Sequence, residues 1–149
     1  WVSLKLTNVL SAVFKERSCE LFVAPFDVRF LDKRKTNSDN DIYTVVQPDL
    51  CIICDAQKID DKGCIGAPDL IIEILSPGNS NKEMKIKFDL YQENGVKEYW
   101  MVNLFEKQVY RYSLVDDKYI GLPPLIETQT LTSPLFPDLN IELKDIFTS

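Results

Sequence analysis

The sequence predicts a mixed α/β fold in one domain, a mixed sheet flanked by helices, and three observations carry this reading. Apolar residues recur at helical spacing near the start, at Leu6, Val9, Leu10, Val13 and Phe14. Short apolar runs bounded by turn residues follow, among them Leu50-Cys51-Ile52-Ile53-Cys54 and Leu70-Ile71-Ile72. Between two such runs stands Ser80-Asn81-Lys82-Glu83, a pattern in which a serine and a glutamate satisfy each other's free amides at a helix start. Strands interrupted by a helix in this way build a layered α/β domain. At 149 residues the chain can bury one apolar core of useful size.

Taken in order, the first element is an amphipathic helix over residues 3–17. Glu20 to Phe30 is β-rich, and Pro25 within it predicts an edge position or a bulge, because proline cannot donate to a ladder. Residues 31–41 form a polar loop carrying Lys33-Arg34-Lys35, which reads as a solvated turn, with DNA contact as the functional alternative. Strands follow at 42–46 and 50–54, then a turn region at 55–66 and a strand at 69–75 closed by Ser76-Pro77-Gly78. The helix opened by Ser80 ends at Asn94-Gly95, where glycine accommodates a left-handed cap. Aromatic strands at 97–103 and 107–113 come next. Residues 118–149 mix short strands with prolines in loops. The predicted order is αβββαββ.

Hydrophobic residues make up 45% of the chain and mean hydropathy is -0.12, values of an ordinary globular protein. No run approaches roughly 18 uninterrupted apolar residues, so no membrane span is predicted, and the expected location is the cytoplasm. The start, Trp1-Val2-Ser3-Leu4-Lys5, reads as the inside of a helix, and an N-terminal segment is expected to be missing. A net charge of -6 argues against a general phosphate-gripping protein. The absence of histidine excludes Ser-His-Asp and Cys-His catalysis, His-ligated zinc and a histidine base. The four cysteines read as reduced thiols. Cys51 and Cys54 lie three apart on a strand and point to opposite faces, so they are expected buried, with neither a disulfide nor zinc. Cys19 and Cys64 have no partner by spacing.

Two carboxylates, Asp49 and Glu73, stand in apolar strands, where a charge is costly unless paired or metal-bound. If the two strands form an antiparallel hairpin about Asp60-Asp61-Lys62-Gly63, Asp49 falls opposite Glu73 on one face, with Cβ atoms roughly 4.5–5.5 Å apart. Such neighbours repel unless a cation or proton lies between them. Hard oxygen ligands suit magnesium. The plainer alternative is that one acid pairs with a lysine or caps a backbone amide. Lys87 shares a helix face with Glu83 and Tyr91 and can reach back to the carboxylates, a surface Glu83–Lys87 pair being the structural alternative. Glu83 is read as a capping residue.

Val46-Gln47-Pro48-Asp49-Leu50, Gly66-Ala67-Pro68-Asp69-Leu70, Glu73-Ile74-Leu75-Ser76-Pro77 and Gly95-Val96-Lys97-Glu98-Tyr99-Trp100 together resemble the Uma-type putative restriction endonuclease family. That family belongs to the PD-(D/E)XK superfamily, and the likeness is densest over residues 42–103. The resemblance implies a restriction endonuclease-like fold with Asp49 and Glu73 as the two acids. The usual lysine of a Glu-x-Lys motif would fall at Leu75, so the resemblance assigns that role to Lys87 on the helix. Asp69 becomes a strand-entry residue. The family's N-terminal hairpin and its acidic residue have no counterpart here, which leaves a third acid unplaced. Self-association is also implied, and Tyr99, Trp100, Tyr110 and Tyr112 were expected to supply an exposed face for a homodimer.

The function expected is magnesium-dependent hydrolysis of DNA phosphodiester bonds, with manganese as a substitute. Asp49, Glu73 and the Ile74 carbonyl would hold the metal, which polarises the phosphate and activates water. Lys87 would orient that water or offset charge in the transition state, and Tyr91 would support Lys87. One rival is an inert nuclease-fold binding or dimerisation module, since fold does not fix function. A glycosidase is the other, but direct cross-strand acids stand too close for inverting chemistry and leave Lys87 without a role.

Overall fold

A computed structural model of the protein describes residues 1–32 and 43–148. Lys33, Arg34 and Lys35, the candidate DNA-contact run, lie outside the described residues. The helix α1 spans Val2–Phe14 and buries Leu6, Leu10 and Phe14, one face at a spacing of four. It stops short of the expected end because Lys15, Glu16 and Arg17 offer no apolar residue to continue that face. Arg17 instead leaves the helix to pair with Asp138.

The β-rich stretch after α1 is two strands, not one. β1 (Glu20–Val23) and β2 (Asp27–Leu31) are separated at the cis Ala24–Pro25 peptide. They then enter different sheets. β3 (Tyr43–Val46) pairs with β2, and β4 (Leu50–Ile53) pairs with β1. The predicted turn region 55–66 contains a short 3₁₀ helix at Ala56–Lys58 and the strand β5 (Gly63–Ile65), which runs parallel to β2. Gly63 is required there, because a Cβ would stand 2.1 Å from the Asp27 carbonyl oxygen.

β6 (Leu70–Leu75) lies antiparallel to β4 with Leu50 opposite Ile72, the register expected from the sequence. The helix α2 (Asn81–Glu93) then crosses to β7 (Glu98–Asn103), which is parallel to β6. β8 (Gln108–Val115), β9 (Lys118–Gly121) and β10 (Leu125–Ile126) complete a seven-stranded mixed sheet, ordered β1-β4-β6-β7-β8-β10 with β9 also on β8. β11 (Thr130–Thr132) and β12 (Asn140–Glu142) form a separate pair before α3 (Leu143–Phe147).

Period-two alternation sends strand side chains to two cores. Leu50, Ile52, Leu70, Ile72 and Trp100 pack under α1 and α3. Cys51, Ile53, Ile71, Tyr99 and Met101 pack under α2 and the three-stranded sheet. Tyr99 and Trp100 are buried within this one chain, and Tyr110 and Tyr112 are half-buried. Among the described residues these four aromatics therefore do not form the one exposed face anticipated for a homodimer, because Tyr99 and Trp100 point into the two cores. No helix among the described residues is long and apolar enough to cross a membrane.

The expectation that all four cysteines are reduced, with Cys51 and Cys54 both buried, is corrected: Cys54 is only half-buried. Cys51 and Cys54 do point to opposite cores, but Cys54 is bonded to Cys19 in a disulfide. Cys19 precedes Glu20 and Cys54 follows Ile53, residues already paired across β1 and β4, so the sheet register brings the two sulfurs together. Spacing along the chain contains no trace of this. Cys51 and Cys64 remain free and buried; burial raises both thiols, Cys64 to about 11. The bridge closes a separation of 35 residues. Reduction should therefore cost about 4 kcal/mol and lower the urea midpoint by a corresponding amount. An unchanged midpoint under reductant would show that the bridge constrains nothing.

Candidate active site

Asp49 stands just before β4 and Glu73 lies within β6, one step beyond the Leu50–Ile72 pair. The two carboxylates hold each other's backbone. Asp49 N–H donates to Glu73 Oε1 at 3.0 Å, and Ile74 N–H donates to Asp49 Oδ2 at 2.6 Å. The chain turns tightly after Leu75, where Asn79 Oδ1 accepts from the Ser76 amide at 2.8 Å. Ser80 then caps α2 by accepting from the Glu83 amide. This places the first turns of α2 over the end of β6.

From α2, Lys87 Nζ donates to Glu73 Oε2 at 2.5 Å and the Tyr91 hydroxyl donates to the same oxygen at 3.2 Å. The structure thus joins Asp49, Glu73 and Lys87, and Lys87 pairs with Glu73 and not with Glu83. Tyr91 braces Glu73 directly instead of supporting Lys87. Glu83 gives its amide to the Ser80 cap, but the reciprocal bond from the Ser80 amide to its carboxylate is not found among the described residues, and Glu83 lines the cleft. Asp69 stands apart: it accepts from Cys54 N–H and pairs with Lys97, consistent with strand entry. Leu75, at the usual lysine position, belongs to the core.

Glu73 is only 4% exposed, and burial raises its carboxyl above the ordinary range. The Lys87 hydrogen bond and charge oppose that rise, while the Asp49 charge adds to it. Lys87 is 40% exposed along its side chain and can turn to solvent. Burial, then the charge of Glu73, raises the phenols of Tyr91 and Tyr99, which remain protonated donors. Asp49, Glu73, Lys87 and Tyr99 line a cleft of about 270 Å³.

No cluster of three or more acidic or cysteine side chains able to enclose a cation is present among the described residues. The two carboxylates can still fit magnesium, which commonly binds one or two carboxylates and retains several waters. Asp49 Oδ1 makes no hydrogen bond among the described residues. The β4 ladder ends at Leu50, so the edge of β6 at Ile74 faces Asp49. Because a strand residue presents its amide and carbonyl to the same side, the Ile74 carbonyl shares that edge.

Sequence reasoning passed over two features. Tyr99 lines the cleft, though its place in an aromatic strand suggested only surface or core. Glu98 is buried and accepts from Trp100 Nε1, Ser133 Oγ and Leu135 N–H; nothing local to Glu98 signals partners from the C-terminal segment.

A mixed sheet flanked by helices, with an acid entering one strand, an acid within its neighbour and a helix-borne lysine on that second acid, has the architecture of a restriction endonuclease-like fold. The chain belongs to the Uma2 family, described as "Putative restriction endonuclease", which it matches over residues 1–144. It is similar in fold to a crystal structure described as "a putative nuclease belonging to DUF820" from Anabaena variabilis ATCC 29413. That likeness has a TM-score of 0.70 at 21% sequence identity and covers 98% of this chain and 78% of the other. No curated protein matches the chain.

Proposed function

We propose that the protein is a metal-dependent endonuclease that hydrolyses DNA phosphodiester bonds at the Asp49–Glu73–Lys87 cleft. The observation that carries this reading is the convergence of two carboxylates from adjacent strands with a half-exposed lysine from α2. Asp49, Glu73 and the Ile74 carbonyl would hold magnesium or manganese. The cation would supply Lewis-acid charge to the phosphate.

The remaining work falls to the chain itself. Tyr91 holds the Glu73 carboxylate in place from the buried side. Lys87, half-exposed at the cleft, would supply an ammonium to offset charge gathering on the phosphate oxygens. Met84 and Tyr99 form part of the cleft wall and limit access of bulk water.

The test is a magnesium titration followed by a cleavage assay on single- and double-stranded DNA. Binding to the native state alone should raise stability by about 2.7 kcal/mol at a hundredfold excess over Kd. Cleavage should require the metal and stop in EDTA. Lys87→Ala should keep or tighten magnesium binding, since it removes the competing cation, and lose roughly a hundredfold or more in cleavage. Magnesium stabilisation without any cleavage would retain the metal site and reject the nuclease. Neither effect in the wild type would identify an inert nuclease-fold module.

A further inference from the structure

The cleft wall carries a neutral polar group that no described residue engages. Tyr99 is 1% exposed and packs edge-on against Tyr91, with ring centroids 5.0 Å apart. It lines the same cleft as Asp49, Glu73 and Lys87. Its neighbours spend their hydroxyls inside the protein: Tyr91 donates to Glu73, and Tyr119 donates to the Val96 carbonyl. The Tyr99 hydroxyl has no hydrogen-bond partner among the described residues.

Among the described residues only Arg29 Nε and Arg111 Nε are buried without a partner, so the Tyr99 hydroxyl opens onto the cleft. The hydrogen bond is therefore available to whatever enters the cleft. The group offered is a neutral donor beside an ammonium, and a phosphodiester presents anionic oxygen acceptors that match both.

We propose that Tyr99 is a substrate-binding residue whose O–H donates to a non-bridging phosphate oxygen of DNA lying in the cleft. This rests on the nuclease reading of the site. The bond would be made beside Lys87 but would differ from it in kind, since a hydroxyl fixes orientation without neutralising charge.

The test compares wild type with Tyr99→Phe, which removes one oxygen atom. Short fluorescein-labelled DNA, single-stranded and duplex, is titrated with the full chain in calcium buffer and in EDTA, and anisotropy is read across salt concentrations. The variant should bind roughly tenfold or more weakly, the usual loss for a hydrogen bond to a charged acceptor. Its slope of log affinity against log salt should match wild type, because a neutral donor releases no counterion, whereas Lys87→Ala should flatten it. Its melting temperature should equal or exceed that of wild type. Unchanged affinity, or an affinity loss accompanied by a lower melting temperature, would overturn the proposal.

A second arm leaves the wild-type protein unaltered and places single methylphosphonates in turn along the DNA. At one position the loss should fail to add to that of Tyr99→Phe; additive losses everywhere would also overturn the contact. If wild type binds DNA but never cleaves it, the nuclease reading fails while the Tyr99 contact is still decided by binding. If it binds no DNA in either buffer, both fall.

Discussion

Glu73→Gln is expected to lose DNA cleavage by roughly a hundred- to thousandfold, yet to leave the metal-free protein at least as stable as wild type at neutral pH. The sign of the stability effect follows from proton linkage. Burial raises the folded-state pKa of Glu73 above the ordinary 4.5, with Asp49 adding and Lys87 opposing. Below about 4.5 the carboxyl is protonated in both folded and unfolded chains. As pH rises through the folded value, the folded protein must release a proton that it holds more tightly than the unfolded chain does. Stability present at low pH is thereby lost. Glutamine does not titrate and avoids that loss.

Its one carbonyl can still accept from the buried Tyr91 phenol, while the half-buried Asp49 amide is left to water in the cleft and half-exposed Lys87 can turn to solvent. Thermal melts of both proteins without metal, taken from pH 4.5 upward, should show the variant's advantage growing as wild type ionises. Wild-type cleavage should move in the opposite direction, rising over the same window as the carboxylate forms. A variant less stable than wild type at neutral pH would make Glu73 a structural ion-pair partner and remove the argument that its charge is held at a cost for function.

Glu98→Ala should be the most damaging single change to the fold, at about 3–5 kcal/mol. Glu98 is 1% exposed. Its Oε2 accepts from Trp100 Nε1 and Ser133 Oγ, both at 2.7 Å, and its Oε1 accepts from Leu135 N–H at 3.1 Å. Alanine strands all three donors and opens space beside Trp100. Glu98→Gln keeps one carbonyl acceptor and should lose less. Urea unfolding followed by tryptophan emission reads the change where it occurs, because Trp100 is buried while Trp1 is exposed. A loss below about 1 kcal/mol would mean that the C-terminal segment is not held by this carboxylate.

The legible part of the site was the part written in local pattern. Asp49 and Glu73 each interrupt an apolar run, and the strand register that places them together follows from where those runs begin and end. Lys87 was accessible through helical spacing, although periodicity alone could not choose between Glu73 and Glu83 as its partner. What the sequence concealed depends on pairings distant along the chain. β1 must lie beside β4 before Cys19 meets Cys54. β5 exists because β2 gives it a parallel neighbour. Glu98 is paired through Ser133 and Leu135, which reach it only when the C-terminal segment folds back. Tyr99 read as one aromatic among several until the cleft gave its hydroxyl a direction.

The β4 ladder ends at Leu50 and Ile72, and the Asp49 carboxylate takes the Ile74 amide beyond it. An apolar strand end with unspent backbone groups is a template on which another polypeptide can add a strand, the first step of aggregation. A side-chain charge seated on that edge consumes the donor and repels an incoming backbone carbonyl. Asp49 therefore serves as a gatekeeper as well as a candidate ligand. Asp49→Ala would free the Ile74 amide for intermolecular β-pairing, a solubility penalty separate from any loss of chemistry.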